Sequence, residues 1–195
     1  MEWKCDIARF QETKIDCTSS AIVRSLCGSP FVDRVVLDAN HSAGGVLMMW
    51  DRRVFEKVDC FVGSSSVSIN FKGVVDGFDW FCAGVYGPTD DSLRDALWEE
   101  LDSMKVHWSL AWCLIGDFNV IRYPAERLDC TSFNPATFDF LDFNENNNMV
   151  NLLIKKKKKK TWLIFHWKGG EYTRFRDSDI PYMFRIDISD PPNCP

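Results

Sequence analysis

Short apolar runs broken by turn-forming residues dominate the first two thirds of the chain. The run from Cys5 to Phe10 reads as an opening strand. A loop and a short helix fill 15–29, and Val32 to Asp38 reads as a second strand through Val32, Val35, Val36 and Leu37. Gly44-Gly45 then leads into Val46-Leu47-Met48-Met49-Trp50, which has no polar position and so predicts a strand buried on both faces. Val54–Val62 and Ser66–Lys72 predict paired strands. Asp79–Tyr86 predicts another buried strand, stopped by Gly87-Pro88. Over 90–107 the spacing changes: Leu93, Leu97, Leu101 and Met104 recur at helical intervals with charges between them. A strand at 110–115 follows. Thr137–Glu145 predicts a second helix behind Asn134-Pro135, with Phe138, Leu141 and Asp142 at helical spacing. Helices are too few for a regular βαβ repeat. The pattern predicts a two-layer β core flanked by helices, in one domain spanning 1–195.

The pattern breaks after Val150. Lys155 to Lys160 are consecutive lysines, followed by Thr161-Trp162-Leu163-Ile164-Phe165-His166-Trp167. Adjacent like charges repel and resist burial, so about 155–168 reads as an irregular lysine-rich insertion on a solvated surface. A basic arm that touches phosphates is a second reading. A translated poly-adenine tract would give the same lysine run.

Composition narrows the function. The 195 residues include 15 Phe and 8 Trp, enough for a substantial core, and the net charge of −5 excludes a broadly basic nucleic-acid binder. None of the eight Cys falls in a Cys-x-x-Cys pair, which points to reduced thiols and a nuclear or cytoplasmic rather than secreted protein. The N-terminus lacks the pattern of a signal peptide, and no apolar run approaches the ~20 residues of a membrane span.

Two strings carry candidate chemistry. Gln11-Glu12-Thr13-Lys14 and Gly116-Asp117-Phe118-Asn119 each follow an apolar, strand-like run. A carboxylate at the end of a buried strand is costly unless something pairs with it. Glu12 and Asp117, with Asn119, would suit one hard cation and a phosphate, because magnesium sites use few protein carboxylates plus phosphate oxygens. Metal-assisted phosphodiester hydrolysis is the reading these residues support. Plainer readings stand beside it: a surface acid for Glu12, a turn for Asp117 to Asn119, a strand-end aromatic for Tyr86, and a structural ion pair for Asp187 with Arg185.

With these two strings, further ones stand in order: Ser42-Ala43-Gly44-Gly45-Val46-Leu47, Val85-Tyr86-Gly87-Pro88, Gly169-Gly170-Glu171-Tyr172-Thr173 and Arg185-Ile186-Asp187. Together they resemble the endonuclease/exonuclease/phosphatase superfamily, the DNase I-like fold. More narrowly, they are similar to the apurinic-type endonuclease domain of plant LINE-type (non-LTR) retrotransposons. The resemblance implies a four-layer α/β/β/α sandwich that hydrolyses phosphodiesters of DNA with Mg2+, or with Mn2+. It implies that Glu12 is the metal ligand and that Tyr86 orients the substrate phosphate. Asp117 would align or deprotonate the attacking water, Asn119 would hydrogen-bond the phosphate, and Asp187 would match the acid that orients the family's catalytic His.

The resemblance has gaps. The family's first strand, with a supporting Asn, and its terminal Ser-Asp-His string have no counterpart in these residues. None of His41, His107 or His166 matches that terminal His, and Arg9 stands where an apolar strand residue is expected. The expectation is therefore an impaired or inactive hydrolase. The alternatives are a non-catalytic retroelement-derived remnant that at most binds nucleic acid, and a phosphoesterase of the same fold acting on a small phosphoester.

Overall fold

The computed structural model describes residues 6–11, 29–38, 45–121, 135–152 and 162–166. Among the described residues, nine strands fall in two sheets. β1 (Ile7–Gln11), β2 (Val32–Leu37) and β3 (Val46–Asp51) form a small antiparallel sheet in the order β1-β3-β2. β4 (Phe55–Val62), β5 (Ser66–Gly73), β6 (Asp79–Tyr86), β7 (Ala111–Asp117), β8 (Met149–Leu152) and β9 (Trp162–His166) form a larger one, in the order β4-β5-β6-β7-β9-β8. Among the described strands only the β6–β7 pair is parallel, and α1 (Arg94–Trp108) is its crossover. The second helix, α2 (Pro135–Asn146), begins on a proline, which suits a first helical position because its missing N–H would have had no helical partner.

Period-two alternation sorts the central strands. On β6, Trp80 and Cys82 join Cys113 and Ile115 of β7 and Ile7, Val46, Met48 and Trp50 of the small sheet in a core between the sheets. The alternate residues Phe81, Ala83 and Val85 turn to the other face, where Leu97, Trp98 and Leu101 of α1 and Phe140 and Phe143 of α2 cover them. Fully buried β3 thus behaves as its unbroken apolar run requires. Leu47 and Met49, on the outer face of the small sheet, are also buried. Helices, large sheet and small sheet make an α/β/β stack. The described residues thus supply three of the four expected layers, and none of them forms a helical layer outside the small sheet.

The free thiols of Cys82 and Cys113 are register partners in the inter-sheet core, and burial pushes the Cys113 thiol up, away from its reactive form.

Three details depart from the sequence pattern. Leu93 precedes the helix, in a short 3-10 turn (Asp91–Leu93), and is exposed, so it takes no part in the apolar stripe of α1. On α2 the buried face is Ala136, Thr137, Phe140, Phe143 and Asn144, whereas Phe138 is exposed. Aromatic packing sets that face: the Trp98 ring stacks on Phe143 at 4.7 Å and on Phe140 at 5.6 Å. Asn144 tolerates burial because its side-chain amide donates to the Phe140 carbonyl of its own helix. Finally, Trp162–His166 lies within the stretch that reads as irregular, yet it forms β9 between β7 and β8. Lys155–Lys160 lie outside the described residues. Among the described residues, no helix is long and apolar enough to cross a membrane.

Candidate active site at the ends of the central strands

β6 and β7 end side by side. Tyr86 and Asp117 are register partners, and the Gly87 amide donates to the Asp117 carbonyl at 2.7 Å. The alternation that buries Cys82 and Cys113 between the sheets puts both half-buried side chains on that same inter-sheet face.

The turn after β7 is held from several directions. Phe118 is fully buried among Phe140 and Trp98, with ring centroids 5.2 and 6.1 Å away. That anchor leaves its neighbours Asp117 and Asn119 at the surface edge. The Asp117 Oδ1 accepts from the Asn119 backbone N–H at 2.9 Å, and the Asn119 side-chain amide donates to the Gly87 carbonyl at 2.7 Å. Asn119 has φ 51°, a left-handed conformation that Asn tolerates better than most residues. Two glycines make the close approach possible. A Cβ on Gly116 would run into the Val85 backbone, and one on Gly87 into the Phe118 backbone.

Two buried arginines complete the frame, and neither is among the residues the sequence motifs single out as functional. Arg94, at the start of α1, donates to the Asn119 carbonyl at 2.9 Å and to the Thr89 carbonyl at 3.3 Å, and pairs with Asp91. Nothing in the sequence marks it. Arg9, on β1, is fully buried. Its Nη1 donates to the Gln11 Oε1 at 2.7 Å and its Nη2 to the Val85 carbonyl. Burial lowers the Arg9 guanidinium to about 10, while Asp117 and, more weakly, Cys82 and Tyr86 push it back up. It remains a cation at neutral pH. Its signal in the sequence is a lone charge inside an apolar strand.

Tyr86, Asp117 and Asn119 are thus brought together. Glu12 and Asp187 lie outside the described residues. Gln11, the residue before Glu12, ends β1 and is tied through Arg9 to Val85, the residue before Tyr86. His107 is in the last turn of α1, which leads into the start of β7. β7 has seven residues, rising about 3.3 Å each, and Asp117 is the last of them, at the far end of the strand from His107.

Among the described residues no group of three or more His, Cys, Asp or Glu gathers to hold a metal. What the edge does offer is hard oxygen chemistry, a half-buried carboxylate on Asp117 beside the Asn119 amide. That donor type fits magnesium, which takes few protein ligands, and does not fit a soft thiophilic ion.

No protein-family model matches the chain, and no curated protein matches it in sequence. Solved structures do match in fold. An endonuclease/exonuclease/phosphatase family protein from Bacteroides thetaiotaomicron is 12% identical, with a TM-score of 0.57 over 82% of this chain and 68% of that one. A mannosyl-6-phosphatase from the same organism is 12% identical, with a TM-score of 0.56 over 83% of this chain and 71% of that one. The catalytic domain of human Nocturnin, solved with a bound sulfate anion, is 13% identical, with a TM-score of 0.52 over 82% of this chain and 68% of that one. The chain therefore has the DNase I-like fold of endonuclease/exonuclease/phosphatase proteins. At these identities the likeness is one of fold.

Proposed function

We propose that this chain is a metal-dependent phosphodiester hydrolase of the DNase I-like fold, acting on DNA in the manner of a retrotransposon endonuclease. The observation that carries this reading is the convergence of Tyr86, Asp117 and Asn119 at the paired ends of β6 and β7. Order of strings along the sequence supports the retrotransposon type, and a basic arm at Lys155–Lys160 would add phosphate contacts.

Each residue has a role its chemistry suits. Tyr86 would orient the scissile phosphate. Asp117 would accept a proton or hydrogen bond from the attacking water, its orientation fixed by the Asn119 N–H on Oδ1. The Asn119 amide has two N–H donors. One is spent on Gly87, and the second would meet a phosphoryl oxygen without adding charge. Glu12 would hold a divalent cation, which, when bound, polarises the phosphoryl oxygen and stabilises the leaving oxygen. Asp187 would orient a histidine.

A second reading, a phosphatase acting on a small phosphoester, is favoured by the fold likeness to a mannosyl-6-phosphatase. One panel separates the two: supercoiled plasmid, p-nitrophenyl phosphate and a hexose 6-phosphate, each with magnesium and with EDTA. Magnesium-dependent nicking without monoester turnover is expected. Monoester turnover alone would favour the phosphatase. Salt-sensitive DNA binding that needs no magnesium, with no turnover, would favour a non-catalytic remnant. The impaired activity expected from the sequence is read from the rate in the same panel.

A further inference from the structure

Arg9 is an expensive residue with no evident structural need. It lies in a strand whose inward-facing neighbour Ile7 belongs to the inter-sheet core, and it is paired in register with buried Met48. A guanidinium there loses its hydration, and it makes no ion pair with any of the described residues in return. Its direct partners are a neutral amide, Gln11, and a backbone carbonyl, Val85, while its buried Nε has no hydrogen-bond partner among the described residues. An apolar side chain of similar length would fill the space without that desolvation.

Its placement accounts for the cost. Gln11 is the last residue of β1, immediately before Glu12. Val85 immediately precedes Tyr86, and it is the register partner of Gly116, which immediately precedes Asp117. One side chain from the small sheet thus holds the strand ends that lead into three candidate site residues. The Asp117 carboxylate also favours the charged form of Arg9, opposing the effect of burial.

We infer that Arg9 is a positioning residue: its buried guanidinium clamps the end of β1 at Gln11 to the end of β6, and so fixes that strand end relative to Tyr86 and Asp117 across the gap between the sheets. The catalytic part of this inference rests on the hydrolase reading above. The clamp itself is testable without it.

The test compares the wild-type chain with Arg9→Met and Arg9→Lys. Removing an incompletely paired buried charge is expected to leave the Tm of Arg9→Met at or above that of wild type. Its kcat for magnesium-dependent plasmid nicking is expected to fall by about 10–100-fold, as misplacement of reacting groups does, with KM changed less than about threefold. Arg9→Lys keeps the charge and one donor, and is expected to recover part of kcat. Independently of turnover, hydrogen exchange at the Gly87 amide, which bonds the Asp117 carbonyl, is expected to rise about tenfold or more in Arg9→Met. A fall in Tm or failure to fold, with unchanged turnover per folded molecule in Arg9→Lys, would overturn the inference and leave Arg9 a structural residue. If the wild-type chain hydrolyses nothing, the hydrolase reading fails and exchange at Gly87 decides alone: faster exchange in Arg9→Met supports the clamp, and unchanged exchange overturns it.

Discussion

Asn119 donates its side-chain amide to the Gly87 carbonyl at 2.7 Å, so the turn that follows β7 is bonded to the turn that follows β6. The Gly87 amide answers by donating to the Asp117 carbonyl at 2.7 Å. These two bonds weld the strand ends that carry Tyr86 and Asp117 into one rigid corner. Rigidity matters at such a corner because catalytic groups act only when their placement is fixed before substrate arrives.

Asn119→Ala removes that bond and puts a residue without a local polar side chain at φ 51°. The expected loss is about 1–3 kcal/mol, from the hydrogen bond and the left-handed conformation together. Asn119→Gly restores the conformational freedom but not the bond, so its loss should be smaller. Urea denaturation of the two variants checks the order, and an equal loss in both would assign the effect to the bond alone.

Phe118→Ala opens a hole among Trp98, Phe140 and the sheet. The expected cost is about 3–5 kcal/mol, typical of truncating a buried Phe. The same substitution frees Asp117 and Asn119 from their anchor, so activity should fall further than the folded fraction does. A loss under about 1 kcal/mol would show that the aromatic cluster does not hold the turn.

Much of this architecture is legible in the apolar runs. β3 and β6 are found where the unbroken apolar stretches place them, and the pairing of Tyr86 with Asp117 follows once β6 and β7 are parallel neighbours. What escapes the sequence has a common cause. The Val85 carbonyl that receives Arg9 lies 76 residues away and is a backbone group, so no side-chain pattern announces it. The buried face of α2 includes Thr137 and Asn144, polar residues that polarity counting assigns to solvent; the Asn144 amide is carried inside by donating to the Phe140 carbonyl of its own helix. β9 is overshadowed by the lysine run before it, although Trp162-Leu163-Ile164-Phe165 is itself a strand-like string.

Asp51 gives a pH dependence with a definite sign. Its carboxyl is held below the ordinary 3.8 by hydrogen bonds from Arg53, at 2.5 Å to the Arg53 Nη2. A group whose folded value is depressed stabilises the fold above its unfolded value and loses that contribution as pH falls through the folded one. The stability difference between wild type and Arg53→Met should thus be constant above about pH 5 and shrink as pH falls below 3.8. Chemical denaturation across that range measures it, and a difference that grows on acidification would contradict the assignment.

The most direct measurement is nicking of supercoiled plasmid by wild type and Asp117→Asn at matched concentration, with magnesium and with EDTA. Asn keeps an oxygen for the Asn119 N–H, so the turn and the Tm should survive. The expected result is magnesium-dependent nicking that drops by about 10²–10⁴-fold in the variant. Nicking that persists in Asp117→Asn, or that ignores EDTA, would contradict a hydrolytic site built on the ends of β6 and β7.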